Sequence, residues 1–172
     1  MTTPTSCPVA VLMGSDSDFP VVQKALDILD RFGIGYDVRV LSAHRSPHAF
    51  HEFANSIENL GFDLVIGAAG RAAHLSGVLA SFTTLPVIAI PIASGSLQGV
   101  DALYSTIQMP SGIPVATMAI GEAGAVNAGV FAAQILALKD PTLREKLRAH
   151  REEMAHKVSE KSEHIRSQIA GN

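Results

Sequence analysis

The chain has 172 residues, of which 47% are hydrophobic and 17% charged, and its formal net charge is -3. This length and apolar content predict a single domain over 1–172, with a core at about 8–141 and a helical extension at about 142–170. The weak negative charge argues against a nucleic-acid partner, because polyanions are bound by basic surfaces.

Short apolar runs alternate with longer amphipathic stretches along the chain. The runs predict five β-strands, which are VAVLM at 9–13, YDVRVL at 36–41, DLVIGA at 63–68, PVIAI at 86–90 and PVATMAI at 114–120. Helices are expected to begin near Phe19, Pro47, Ala72, Gly99 and Ala123. Repeated strand–helix units favour a parallel sheet with right-handed crossovers. The sequence therefore predicts an α/β fold with three layers, α/β/α.

The C-terminal segment 142–170 is rich in charged residues and also carries an apolar stripe. The stripe consists of Leu143, Leu147, Met154, Val158, Ile165 and Ile169. A solvated helix explains the charges, but an apolar stripe needs a partner surface. We expect a long C-terminal helix that packs on a neighbouring subunit, with packing against its own core as the alternative.

Cysteine content and the N-terminal segment bear on localisation. The single cysteine, Cys7, cannot form an intrachain disulfide, which fits a reducing compartment. The start MTTPTSCP lacks the basic residues and apolar core of a signal peptide. No apolar run reaches the roughly 18 residues that a membrane span needs. We therefore expect a cytoplasmic protein without a membrane partner.

Polar and glycine-rich runs follow all five predicted strands. They are GSDSD at 14–18, SAHRSP at 42–47, AGRAAH at 69–74, ASGSLQG at 93–99 and GEAGAVN at 121–127. In a parallel sheet these runs share the carboxyl edge, where ligands bind. Glycine, serine and helix N-termini let backbone N–H groups approach an anion. The sequence predicts a ligand site at this edge.

The cations at that edge are few. Lysine is absent from residues 25–138, which leaves no Schiff-base candidate and no nucleoside-triphosphate loop there, and only Arg45 and Arg71 are fixed cations of these runs. This small number of cations suits a ligand with one phosphate monoester. Arg45 would chelate the phosphate, and the hydroxyls of Ser15, Ser17 and Ser42 would donate hydrogen bonds to it. The alternative is that the serines and glycines only form turns.

Among the titratable residues of this edge, His44 is suited to general acid/base chemistry near neutrality, or is simply a hydrogen-bonded loop histidine. His48 and His51 lie one turn apart and with His44 could suggest a metal site, but without a well-placed carboxylate or thiolate ligand a solvated helix face is favoured. Asp16 and Asp18 either cap a helix or, for Asp18, accept hydrogen bonds from ribose hydroxyls.

Several of these motifs together resemble one enzyme family. They are MGSDSD at 13–18, SAHRSP at 42–47, AAHLSG at 72–77, GVDALYSTIQMPSGIPVATMAIG at 99–121 and NAGVFAAQILAL at 127–138. In this order, over residues 9–138, they resemble the N5-carboxyaminoimidazole ribonucleotide mutases of purine biosynthesis. The resemblance implies a flavodoxin-like fold, a homo-octamer with the substrate site at a subunit junction, and a reaction without cofactor or metal.

The resemblance also assigns roles to residues. The substrate N5-carboxyaminoimidazole ribonucleotide (N5-CAIR) would become 4-carboxy-5-aminoimidazole ribonucleotide (CAIR), with His44 as the proton carrier. Four residues would hold the ribose 5-phosphate part, namely Ser15, Asp18, Ser42 and Arg45. Four others would surround the migrating carboxyl group, namely Ala69, Gly70, His74 and Leu75.

Two positions depart from the usual mutase sequence, which reads G-G-A-A-H-L-P-G where this chain has Gly70-Arg71-Ala72-Ala73-His74-Leu75-Ser76-Gly77. Arg71 and Ser76 resemble the sister branch, the aminoimidazole ribonucleotide (AIR) carboxylases, which use free CO2. That branch usually has lysine at the position of Arg45, so the sequence favours a mutase and keeps the carboxylase as the alternative. A flavodoxin-like module binding FMN is the third hypothesis, but the chain has no tryptophan for stacking on a flavin and no G-x-G-x-x-G motif.

Overall fold

A computed structural model describes residues 7–170, so the ends of the predicted domain 1–172 and most of the MTTPTSCP segment lie outside the described residues. The chain divides into two compact units, one up to Ala132 and the other from Ala133 onward.

The first unit contains a five-stranded parallel sheet. Its strands are β1 Val9–Met13, β2 Tyr36–Val40, β3 Leu64–Gly70, β4 Val87–Ile92 and β5 Ala116–Thr117. The strand order is β2-β1-β3-β4-β5, with β3 paired to β1 on one side and to β4 on the other. All residues of β1 and β4 are buried, because helices cover both faces of the sheet. The predicted α/β/α fold with a flavodoxin-like sheet is confirmed.

The helices follow the strands in chain order. They are α1 Phe19–Phe32, α2 Pro47–Ser56, α3 Leu75–Ala80, α4 Val100–Ile107 and α5 Glu122–Leu136, which continues into the second unit. A proline lies in the first turn of α1 and of α2, where its missing N–H is not needed. Gly33, with φ of 73°, ends α1 in the left-handed conformation that glycine adopts readily. The starts of α1 and α2 set where the loops after β1 and β2 end.

The sequence-based bounds agree with the structure to within two residues except at two elements. The fifth strand has two residues rather than the seven of 114–120, although the N–H groups of Met118 and Gly121 still donate to carbonyls of β4 and the segment after it runs alongside that strand. Helix α3 begins at Leu75 rather than near Ala72, because Arg71 is left-handed and residues 71–74 form a turn. This turn presents His74 at the edge of the sheet.

In the second unit the main element is α6, Pro141–Ala170. Its start is fixed by Asp140, whose Oδ1 accepts hydrogen bonds from the N–H groups of Thr142 at 2.9 Å and Leu143 at 3.1 Å. This agrees with the helical extension predicted from residue 142. Within residues 7–170, no helix has both the length and the apolar character that crossing a membrane requires.

Candidate active site

A cavity of about 560 Å³ opens at the carboxyl edge of the sheet, between the loops that follow β1, β2, β3 and β4. Its lining includes the loops after β1 and β3, the neighbouring strands between which the strand order reverses and where α/β folds bind ligands. The nine residues predicted for the site all line it, namely Ser15, Asp18, Ser42, His44, Arg45, Ala69, Gly70, His74 and Leu75. The structure thus brings together residues that are up to 60 positions apart in sequence.

The loop after β1 forms a compact polar turn. Ser15 is the N-cap of a short 3-10 helix at Asp16–Asp18, and its Oγ accepts hydrogen bonds from the Ser17 N–H at 3.3 Å and the Ser17 hydroxyl at 2.9 Å. The Ser15 hydroxyl donates to Asp16 Oδ1 at 3.1 Å. The serines therefore both form the turn and line the cavity. A role in the turn is thus compatible with the expected role in phosphate binding.

Asp18 contributes a carboxylate at the base of this turn. Its side chain is 6% exposed, and burial raises its pKa above the usual value of 3.8 because the charged form loses hydration. Three other effects lower the pKa of Asp18. They are hydrogen bonds with the Ser15 backbone and the Ser17 side chain, and the positive charge of Arg45. Asp18 is thus a buried acceptor facing the cavity.

The loop after β2 is held by serine side chains. The Ser42 N–H donates to Ser46 Oγ at 3.0 Å, and the Ser46 hydroxyl returns a hydrogen bond to the Ser42 carbonyl at 3.1 Å. Ser42 Oγ accepts from the Arg45 N–H at 3.1 Å, while Arg45 Nη2 donates to the Gly14 carbonyl at 3.0 Å. These bonds fix the loop carrying His44 and join it to the turn after β1.

Two histidines from different loops meet in the cavity. His44 Nε2 and His74 Nδ1 are 3.0 Å apart, and the rings are edge to face with centroids 5.0 Å apart. At this distance one nitrogen donates a hydrogen bond and the other accepts it, with the proton on either ring. The pair therefore holds a single transferable proton between two fixed imidazoles. The sequence predicts both residues at this edge but not their contact. A helix was expected to begin near Ala72, whereas residues 71–74 form the turn that places His74 beside His44.

The two other histidines near this loop lie outside the cavity lining. His48 is exposed on α2, and His51 packs edge to face on Phe82 with ring centroids 4.7 Å apart. Across residues 7–170, no three His, Cys, Asp or Glu side chains are grouped as a metal site would require.

Close packing shapes the side of the cavity formed by β3 and β4. A Cβ atom at Gly70 would lie 2.0 Å from Ser94 Oγ, and one at Gly67 would lie 2.4 Å from Ser76 Oγ. The Ser76 hydroxyl is buried and donates to the Gly67 carbonyl at 3.1 Å, which ties the first turn of α3 to β3. Ser94 also lines the cavity and was not among the predicted site residues, although its run, ASGSLQG, was placed at the edge.

Comparisons with known proteins agree with this geometry. The family model described as AIR carboxylase matches residues 8–157. The chain belongs to the AIR carboxylase family. It is 49% identical over 150 residues to the N5-carboxyaminoimidazole ribonucleotide mutase of Vibrio vulnificus, covering 87% of this chain and 93% of the relative. It is 48% identical over 157 residues to the enzyme of the same name from Pyrococcus horikoshii, covering 91% of this chain and 88% of the relative.

A solved structure of this AIR carboxylase family has the same fold. Treponema denticola PurE superimposes with a TM-score of 0.80 at 35% identity, covering 88% of this chain and 94% of the other. The resemblance inferred from the motifs is thereby confirmed. The match extends over the sheet and all four loops that line the cavity.

Proposed function

We propose that the protein is an N5-carboxyaminoimidazole ribonucleotide mutase, which converts N5-CAIR to CAIR in purine biosynthesis. The observation that carries this proposal is the His44–His74 hydrogen bond at 3.0 Å inside a cavity lined with serine hydroxyls and Arg45. The similarity to enzymes of that name supports it. Family membership favours this enzyme over a flavodoxin-like module that binds FMN.

The ribose 5-phosphate end of the substrate has matching partners in the loops after β1 and β2. Ser15, Ser42 and Arg45 supply hydroxyl and guanidinium donors for a phosphate, and these donors are already oriented by hydrogen bonds within each loop and by the Arg45–Gly14 bond between the loops. Asp18 is the buried acceptor for ribose hydroxyls. Its charged form is disfavoured by burial, and hydroxyl donors would stabilise it.

The imidazole end would lie by the loop after β3. Ala69, Gly70 and Leu75 present small or apolar surface beside His74, which suits a neutral CO2 molecule held between the two halves of the reaction. Excluding water there keeps CO2 from escaping before it is captured.

His44 serves as the proton carrier in this scheme. The bond between the exocyclic nitrogen and the carboxyl carbon breaks, CO2 forms, and the nitrogen takes a proton from His44. Carbon C4 then attacks CO2 to form the new carbon–carbon bond, and the proton of C4 returns to His44. His74 accepts a hydrogen bond from His44 Nε2 when that nitrogen is protonated and donates one when it is not, so the ring orientation is held in both states.

A carbon-label experiment tests this function. N5-CAIR labelled at the carboxyl carbon is supplied together with unlabelled bicarbonate, and the carboxyl carbon of the product is followed. We expect most of the label to be retained in CAIR, because CO2 is captured in the cavity. Turnover of only AIR plus CO2 would instead assign the protein to the carboxylase branch.

The same assay with two histidine variants tests the proton carrier. His44→Asn should still bind the ribonucleotide but lose turnover by about 10²–10⁴-fold, the usual contribution of a positioned acid/base group. The matched control is His48→Asn, which alters an exposed histidine outside the cavity lining and should retain turnover. Near-normal turnover in His44→Asn would exclude His44 from this role.

The proposal includes self-association as a homo-octamer, supported by two exposed apolar faces. On α4 and the turn before it, Val100, Tyr104 and Ile107 recur at helical spacing beside Leu97, and all four are 44–64% exposed. On α6, Met154, Val158, Ile165 and Ile169 are 51–71% exposed. Contiguous apolar surface of this kind is typical of protein interfaces.

The proposed location is the cytoplasm, because a charged ribonucleotide does not cross a bilayer and must be used in the compartment where it is made.

A further inference from the structure

Arg71 lies between β3 and α3 in a position that the proposed reaction scheme leaves without a role. It lines the cavity directly after Gly70, and its side chain is exposed. Its stem runs against the loop that follows β4, where a Cβ atom at Gly95 would lie 3.4 Å from Arg71 Nε and 3.8 Å from its Cγ. These distances are those of ordinary van der Waals contact, so the Arg71 side chain packs beside Gly95.

The backbone of Arg71 is held in an unfavourable conformation. Its φ is 56°, in the left-handed region that glycine adopts readily and that costs other residues conformational energy. Glycine at this position would remove the cost. Non-glycine residues in this conformation cluster at active sites and ligand-binding loops.

The Arg71 guanidinium also lacks a partner. Within residues 7–170 it makes no hydrogen bond and no ion pair. The carboxylate lining the cavity, Asp18, is influenced by Arg45, and Arg71 is not among the charges that affect it. Arg71 is thus a fixed cation that lines the cavity without a counterion among residues 7–170.

The two cations of the cavity lie at different places on the sheet. Arg45 is bonded to Gly14 after β1, whereas Arg71 lies against the loop after β4. Strand β3 separates these two strands, which corresponds to about 10 Å across the sheet. A ribonucleotide carries its phosphate and its base substituents at opposite ends of the ribose. One ligand of this class can therefore reach both cations with two different anionic groups.

We propose that Arg71 is a second anion-binding residue of this site and that it binds the carboxylate on the imidazole ring of the ligand, while Arg45 binds the phosphate. This inference rests on the proposed function, which supplies a ligand with both groups. An unpartnered guanidinium matches a carboxylate through paired N–H donors. Arg71 is therefore a specificity residue that favours the carboxylated ribonucleotide over the same ribonucleotide without its carboxyl group.

The experiment compares the affinities of CAIR and AIR, which differ by the ring carboxylate. Isothermal titration is carried out on the wild type and on Arg71→Asn, since asparagine is neutral and tolerates the left-handed conformation. We expect the Kd of CAIR to rise about tenfold in Arg71→Asn, as for loss of a charged hydrogen bond at a solvent-accessible site, and the Kd of AIR to stay within about twofold. Arg71→Lys should recover part of the loss, because it keeps the charge.

A matched variant separates the two anion sites. Arg45→Gln removes the cation assigned to the phosphate, which both ligands carry, and should weaken CAIR and AIR by a similar factor. An equal effect of Arg71→Asn on the two ligands, or no effect on either, would overturn the role of Arg71 while leaving the proposed function intact. Failure of the wild type to bind either ribonucleotide would overturn the proposed function and this inference together.

Discussion

At the scale of single residues, Asp18 shows how a buried carboxylate opposes stability. The carboxyl group is nearly inaccessible to solvent, and burial raises its pKa above 3.8. A raised pKa means that the folded state holds the proton more tightly than the unfolded state does. The contribution of Asp18 to folding is therefore most favourable below pH 3.8 and is lost as the pH rises through its folded-state pKa.

Asp18→Asn should consequently stabilise the free protein at neutral pH and weaken ribonucleotide binding. The amide avoids the cost of burying a charge, and it is a poorer acceptor for ribose hydroxyls than a carboxylate is. Urea denaturation from pH 3.5 to 8 provides the measurement. The stability gained over the wild type should be small at the acidic end, grow as the wild-type carboxyl ionises, and level off at higher pH.

The control for this prediction is Asp63→Asn, a substitution at an exposed aspartate after α2. It should leave the unfolding free energy nearly unchanged over the same pH range. A loss of stability in Asp18→Asn at pH 7 would show that the hydrogen bonds from Ser15 and Ser17 outweigh the cost of burial.

At the scale of elements, one carboxylate joins two segments of the first unit. Glu58, just after α2, accepts hydrogen bonds at Oε1 from the Thr84 N–H at 2.6 Å, the Thr83 hydroxyl at 2.8 Å and the Thr84 hydroxyl at 3.1 Å. These bonds, led by that of the Thr84 N–H, lower the pKa of Glu58 below 4.5. The contact holds the loop between α3 and β4 against the end of α2.

Glu58→Gln should therefore destabilise the protein, with a pH dependence opposite to that of Asp18→Asn. A lowered pKa means that the charged carboxylate stabilises the fold above pH 4.5 and that this contribution is lost as the pH falls through the folded-state pKa. The deficit in urea midpoint relative to the wild type should be full at pH 7 and shrink below pH 4.5. Glu52→Gln on α2 is the matched control, because Glu52 is exposed and makes no hydrogen bond within the described chain. An equal deficit in both variants would exclude the threonine contacts as the cause.

The sequence predicts the elements that apolar periodicity defines and misses those that depend on tertiary contacts. The bounds of β1 are matched in full, since five consecutive buried residues leave a clear apolar run. The late start of α3 follows from the left-handed Arg71, which no local pattern indicates. In the same way, residue types and strand ends sufficed to place His44 and His74 in one cavity, but their 3.0 Å contact depends on the turn before α3. The roles of the site residues stay predictions until the variants are measured.

At the scale of the whole molecule, α6 has an exposed apolar surface that would be unusual for a protein that stays monomeric. At 100° per residue the six stripe residues fall within about 80° of the helix circumference. The stripe repeats every 11 residues, which keeps it nearly parallel to the helix axis. Leu143 is buried and Leu147 is half-buried, whereas Met154 and the three that follow are exposed. The exposed part of the stripe is thus an ordered apolar surface rather than scattered residues.

Deleting residues 142–172 should therefore reduce the proposed octamer to smaller species, as measured by light scattering coupled to size-exclusion chromatography. The double variant Val158→Lys and Ile165→Lys should do the same, because each lysine would have to be desolvated in the interface. Ala149→Lys with Ser167→Lys adds the same charge to exposed positions on the opposite side of α6 and should leave the octamer intact. An octamer that survives both the deletion and the stripe variant would show that assembly depends on other surfaces, such as the exposed apolar face of α4. Loss of the octamer in the Ala149 and Ser167 control as well would instead attribute the effect to added charge on the helix.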